Sequence, residues 1–468
     1  MNFTLILLLV YLVGLVGLGL WIGRRVESSR AFFVADRKLG AMLLFSTVLA
    51  SNIGVGSTVG AAGLGYKDGL SAWWWVGSAA VGTAILAMWV GPKIWRIARK
   101  HGLYTVGDYL EHRYGTTVRA IVTSLLWIAT PSALAAQLIA LGKILNFVAG
   151  VPYWAGVLTG AAVMTTYFTA GGLLTSAWVN MVQLVVLIVG FTVAVPWALA
   201  NAGGWSAVIA ASPSTADYMN FWNGGESGWI LLALLVPNFI VSPGLIQKVY
   251  GAVDERAIRI GLGATALALV IFALGPPLFG MIARVYEPAL VDREHALMLV
   301  LTTGLPTLVG TLGLAAVISA EISSADAILF MLATSLSKDL YQRFVHSDAS
   351  DSQVLRVARL AALFGGIIGV LLALALPSVI AALSIFYSLM AVCLFVPLVA
   401  GLYTRRPAMP EALAASGVGV AALLAAELAG ISKMSVLLNS SLIGIVASAL
   451  AFGLVYAWRR SYNPSRSV

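Results

Sequence analysis

The sequence predicts an all-α membrane protein of about thirteen transmembrane helices, on three observations. Of its 468 residues, 60% are hydrophobic and only 10% are charged, and mean hydropathy is +0.94. A water-soluble domain carries about 25% charged residues and could not hide this much apolar surface. Apolar runs of spanning length recur throughout, at 5–23, 40–64, 71–95, 118–148, 154–170, 174–200, 228–248, 258–285, 306–336, 354–376, 379–403, 409–430 and 437–458. Finally, Lys and Arg concentrate in alternate connections between these runs, which is the pattern of membrane topology.

The first run lacks a basic leader and a small-residue cleavage site and is followed by Arg24 and Arg25, so it is expected to stay as a helix and not to be a signal peptide. An odd number of spans puts the termini on opposite sides. With the N-terminus outside, the inner connections hold nearly all the cations, from Arg37, Lys38, Arg96, Arg99, Lys100, Arg113 and Arg119 to Lys248, Arg256, Arg259, Lys338, Arg343, Arg356, Arg359, Arg405, Arg406, Arg459 and Arg460. Lys67, Arg284, Arg293 and Lys433 fall outside, and Lys143 within a run. The expected location is the plasma or inner membrane, multi-pass, with the C-terminus cytoplasmic. The net charge of +9 is thus topological; no continuous basic surface for nucleic acid exists, no obligatory protein partner is indicated, and no stretch reads as a soluble enzyme domain. Cys393, the one cysteine, lies in an apolar run and is expected to be a core residue; the four histidines fall in polar connections, so no histidine relay is expected.

The second and seventh runs are unusual. One contains Ser51-Asn52-Ile53-Gly54-Val55-Gly56-Ser57-Thr58-Val59-Gly60, the other Pro237-Asn238-Phe239-Ile240-Val241-Ser242-Pro243-Gly244. They lie five helices apart, so each opens a five-helix unit, and interrupted helices at matching positions of two halves point to a transport site.

The ninth run carries Ala320-Glu321-Ile322-Ser323-Ser324-Ala325-Asp326. Carboxylates and hydroxyls are costly in hydrocarbon and mark function by default. Oxygen ligands suit hard cations, which points to ion-coupled transport. Ala320, Ser323 and Ser324 stand at i, i+3 and i+4 and share one helix face.

Several stretches together resemble the sodium:solute symporter family. These are Ala31-Phe32-Phe33-Val34-Ala35-Asp36-Arg37, Ser51 to Gly69 ending in Gly65-Tyr66-Lys67-Asp68-Gly69, Tyr167-Phe168-Thr169-Ala170-Gly171-Gly172-Leu173, Trp178-Val179-Asn180-Met181-Val182-Gln183, and Ser323-Ser324-Ala325-Asp326 with Asp339-Leu340-Tyr341 beyond it. The resemblance implies a LeuT-type fold, two inverted five-helix repeats with one extra helix before and two after. It divides the chain into 1–39 (extra helix and loop), 40–200 (first repeat), 201–403 (second repeat with an outer loop) and 404–468 (C-terminal helices and short tail). It implies sodium-coupled symport of a small polar organic solute by alternating access, with Na+ as coupling ion.

Residue by residue, the resemblance implies a sodium site made of the carbonyls of Ala50, Ile53 and Ala320 and the hydroxyls of Ser323 and Ser324. Where some members have a second-site aspartate this chain has Asn180; Asp326 is a carboxylate near that place, alternatively bonded to the interrupted backbone or paired with Lys143. Implied solute positions are Asn52, Ser57, Trp75 and Ser242, with Phe386 or Tyr387 as a hydrophobic gate. An aromatic residue of the choline branch is Asn52 here, and two sugar-binding positions are Val76 and Ser57, which argues against choline and sugars. Trp73 and Trp74 are expected in the interfacial aromatic belt. One alternative keeps the fold but couples protons through Asp326 or Glu321. Another, a non-transporting sensor or an energy-converting subunit, would want a soluble output domain or several buried lysines, and only Lys143 is expected to be buried.

Overall fold

The computed structural model describes residues 3–24, 29–214, 217–224, 227–376, 378–431 and 439–462. Lys433, Arg25 and the side chains at 169–174 lie outside the described residues. With no water in the bilayer core, each spanning segment must satisfy its own backbone, and the chain does so as helix. The elements are α1 Phe3–Gly23, α2 Ala41–Asn52, α3 Val59–Asp68, α4 Trp73–Ile85, α5 Val106–Tyr114, α6 Thr116–Ala149 and α7 Tyr153–Asn201. They continue as α8 Leu231–Val241, α9 Pro243–Tyr250, α10 Glu255–Phe272, α11 Gly275–Tyr286, α12 Thr307–Thr334, α13 Asp351–Ala375, α14 Val379–Tyr403, α15 Met409–Leu428 and α16 Ser440–Tyr462. Helix α4 runs on through a wider turn to His101, and α12 likewise to Val345.

Among the described residues eleven helical stretches are long and apolar enough to cross a membrane. Two expected spans are not counted separately among them. The run 40–64 is not one helix: α2 is too short alone, and α3 counts with the stretch that follows it. The runs 154–170 and 174–200 both lie in α7, of which Thr175–Asn201 is counted, the side chains at 167 and 169–174 lying outside the described residues. The two ends of α7 lie toward the same side of the bundle. Tyr153 at its start donates to the carbonyl of Ala373 near the end of α13, and Asn201 at its finish donates to the carbonyl of Gly304 just before α12. Between them Ser176 meets Asp326, well along α12.

Both expected interruptions are present. After α2, Ile53 and Gly54 are extended, one tight turn follows at Val55–Ser57, and α3 begins beyond Thr58. Gly54 and Gly56 are poor helix formers, which weakens the chain at this place. Between α8 and α9, Ser242 is extended because Pro243 disfavours helical backbone in the residue before it.

Helix α12 is the most enclosed span, with 89% of its apolar window buried against 22% for α1. Its polar residues therefore face protein. The start of α2 and the end of α9 meet: Leu39 N–H donates to the Gly251 carbonyl at 2.9 Å and Val253 N–H to the Leu39 carbonyl at 3.0 Å. At the same end Arg119 pairs with Asp108, Glu111 and Asp339, each at 2.8 Å, and so joins α5 and α6 to the extension of α12.

Candidate ion and solute site

Breaking a helix frees backbone groups that must find partners. Between α2 and α3 the freed donor at Val55 goes to Gln137 Oε1 of α6 at 3.2 Å. The freed acceptors face α12. The Ser323 hydroxyl lies 2.8 Å from the Ala50 carbonyl and 3.0 Å from that of Ala320. The Ser324 hydroxyl lies 3.1 Å from the Ile53 carbonyl, 3.2 Å from that of Ser51 and 3.5 Å from that of Ala50. The five oxygens expected from sequence, on Ala50, Ile53, Ala320, Ser323 and Ser324, are thus gathered in one place. Each hydroxyl has a single proton, so two protons face the carbonyls of Ala50, Ser51, Ile53 and Ala320. The cluster thus holds more acceptors than donors, and all of them are neutral oxygens, the ligand type that suits hard cations. Gly54 makes the approach possible: a Cβ there would fall 2.6 Å from Ser324 Cβ.

Glu321, fully buried, turns from this cluster to the interruption itself, where the Thr58 hydroxyl lies 2.9 Å from its Oε1 and 3.0 Å from the Gly54 carbonyl. Asp326 takes a different face. Ser176 of α7 donates to Asp326 Oδ2 at 3.2 Å, Asn180 Nδ2 lies 3.3 Å from Ser176 Oγ and 3.3 Å from Thr47 Oγ1, and the Thr47 carbonyl accepts from Lys248 Nζ at 2.8 Å. Lys248 also bonds the Ser51 hydroxyl and lies within the field of Asp326.

Two expectations are corrected here. Asp326 does not pair with Lys143, because Lys143 stands near the far end of α6, where its ammonium binds Asp292 at 2.7 Å and Glu294 at 2.6 Å. Lys143 is also not the only buried lysine: Lys248, expected in an inner connection, is 1% exposed in α9. Positive charge in sequence does not separate a loop from the last turn of a short half-helix turned into the bundle.

Beside the two interruptions lies a cavity of about 70 Å³. Asn52, Ser57 and Ser242 line it as expected, together with Phe386 and Tyr387, whose rings are 5.5 Å apart. Trp75 does not line it: the ring packs on Gly56, whose added Cβ would meet the indole nitrogen at 3.0 Å. Trp74, expected in the aromatic belt, is buried and donates to the Phe221 carbonyl at 2.9 Å. Sequence reading missed Gln137, Asn238 and Phe239 in the wall. The signal for Gln137 was there, a lone amide in the long apolar run of α6. Among the described residues every lining side chain is neutral.

The family model of the sodium:solute symporter family matches residues 32–419. The chain belongs to the sodium:solute symporter family. Its relatives within that family include a sodium/pantothenate symporter of Escherichia coli (strain K12), 28% identical over 88% of each chain. A high-affinity choline transporter of Caenorhabditis elegans is 25% identical over 86% of this chain and 74% of its own length. A solved Na+-coupled sialic acid symporter superposes with a TM-score of 0.85 at 19% identity, covering 98% of both chains, which establishes the LeuT-type fold. A chain of this family with these spans is a multi-pass membrane transporter and not an enzyme.

Proposed function

We propose that this family member is a sodium-coupled symporter of a small polar organic solute. The observation that carries the reading is the gathering of Ala50, Ile53 and Ala320 carbonyls with the Ser323 and Ser324 hydroxyls at a helix interruption that also walls the cavity. Sodium entering there would order the interruption, and the ordered interruption would present Asn52 and Ser57 to solute. Each ligand then tightens the other, which is the requirement for coupling. Residues 40–200 and 201–403 act as the two halves that rock about this site, with the N-terminus outside and the C-terminus cytoplasmic.

The solute is small, and neutral or zwitterionic overall, because the wall offers amides, hydroxyls and aromatic faces but no charged side chain to pair with a net charge. Asn52 and Asn238 are the hydrogen-bonding groups best placed to select it, and Phe386 and Tyr387 close over it. Pantothenate, the solute of one relative, carries a carboxylate; taking it here would require backbone amides of the interruptions as its partner.

The test is sodium binding to purified protein, read as thermal stability in NaCl against KCl and choline chloride. A sodium-specific upshift lost in Ser323→Ala/Ser324→Ala supports the site; a variant of normal expression that retains the shift overturns it. A second reading, proton coupling, is favoured by one observation: Glu321 Oε2 has no hydrogen-bond partner among the described residues. It requires uptake that follows pH and ignores sodium, and loss of that dependence in Glu321→Gln.

A further inference from the structure

Between the first half of α7 and helix α13 runs a groove of about 1090 Å³, away from the ion site. Its floor is made of small residues, Ala161, Ala162 and Gly366, and its sides of Leu158, Leu363 and Ile367. These leucines and the isoleucine are about half exposed, at 47%, 46% and 50%, so the groove opens outward from the bundle. In a membrane-spanning chain that direction is lipid.

The groove is not apolar along its whole length. At the start of α13 it ends in Ser352, Arg356 and Arg359, and among the described residues no acidic side chain lines it. Arg356 and Arg359 are three residues apart, hence neighbours on one helix face. Both are exposed. A guanidinium presents a planar set of donors that matches phosphate. A slot with an apolar body and a doubly cationic mouth has the profile of one molecule, a phospholipid with an acidic head. Basic pockets between helices at the membrane surface bind such heads.

We propose that this groove is a binding site for an anionic phospholipid, with its head phosphate at Arg356 and Arg359 and an acyl chain along Leu158, Leu363 and Ile367. The site is separate from the sodium and solute site and does not rest on that assignment. A lipid held there braces α13 against the first half of α7.

The experiment uses the full chain in nanodiscs of phosphatidylcholine, with and without phosphatidylglycerol, read by thermal unfolding. The expected result is an upshift of about 2 °C or more with phosphatidylglycerol. It should be lost in Arg356→Gln/Arg359→Gln and kept in Arg405→Gln/Arg406→Gln, which removes two cations from another connection. Ala162→Trp, which fills the groove and leaves the arginines, should lose it as well and stands in if the double variant does not fold. An equal loss in Arg405→Gln/Arg406→Gln would reduce the effect to general surface charge and overturn the site. So would a shift that survives Arg356→Gln/Arg359→Gln, or one reproduced in phosphatidylcholine by inorganic phosphate.

Discussion

The Ser324 hydroxyl of α12 sits 3.1 Å from the Ile53 carbonyl, the first carbonyl after the helix α2 ends at Asn52. A side chain on an unbroken helix thus completes the broken end of another. Replacing Ser324 by Ala removes one of five oxygens. Sodium affinity is expected to fall by roughly 10- to 100-fold, the range for losing one bond to a charged group. The measurement is half-saturating sodium for stabilisation or uptake, and an unchanged value contradicts the assignment.

Gly54 is the second test of the same contact. In Gly54→Ala the new Cβ meets Ser324 and also lies 3.3 Å from Gln137 Oε1, so the cluster must open. A loss of about 1–3 kcal/mol in stability is expected, together with weakened sodium binding. A variant as stable as wild type with normal sodium response would mean that the interruption yields easily.

Lys248 and Asp326 should behave as one unit. Lys248→Met leaves the Thr47 carbonyl and Ser51 hydroxyl without their ammonium and leaves Asp326 in a more negative surrounding. Each single variant, Lys248→Met or Asp326→Asn, is expected to lose about 1–3 kcal/mol, because it leaves buried polar partners unsatisfied. The double variant should lose clearly less than the sum. Additive losses in unfolding measurements would deny the coupling.

Acid should act at the opposite end of the fold. Burial works to raise the Asp292 carboxyl, but the hydrogen bonds from Lys143 and from the Glu294 N–H outweigh it and hold it below the usual aspartate range. A carboxyl lowered in the folded state binds fewer protons folded than unfolded. Its contribution is present above the ordinary value of 3.8 and is lost as pH falls through and below it. Wild type should therefore lose stability between about pH 5 and 3, and Asp292→Asn should flatten that decline. Equal slopes in the two proteins would remove Asp292 from the account.

The parts that sequence reading found and missed differ for physical reasons. Ala320, Ser323 and Ser324 were legible because helical spacing alone puts them on one face. Ala50 and Ile53 meet Ser323 and Ser324 through their carbonyls, which side-chain identity does not report; the resemblance, and the glycines beside them, pointed to these. Lys248 was illegible, since a lysine near the end of an apolar run reads as a connection. Trp75 looked like a cavity wall from its position, but its ring turned to the space left by Gly56. The Lys143 partners Asp292 and Glu294 lie about 150 residues away in a polar stretch, and no periodicity links them.

The reach of Lys248 across to the Thr47 carbonyl, reinforced by the backbone pairing of Leu39 with Gly251 and Val253, ties the near half of one interrupted helix to the near half of the other. Two levers on opposite walls of the cavity are thereby yoked. Rocking about the site would therefore carry α2 and α9 together rather than one by one.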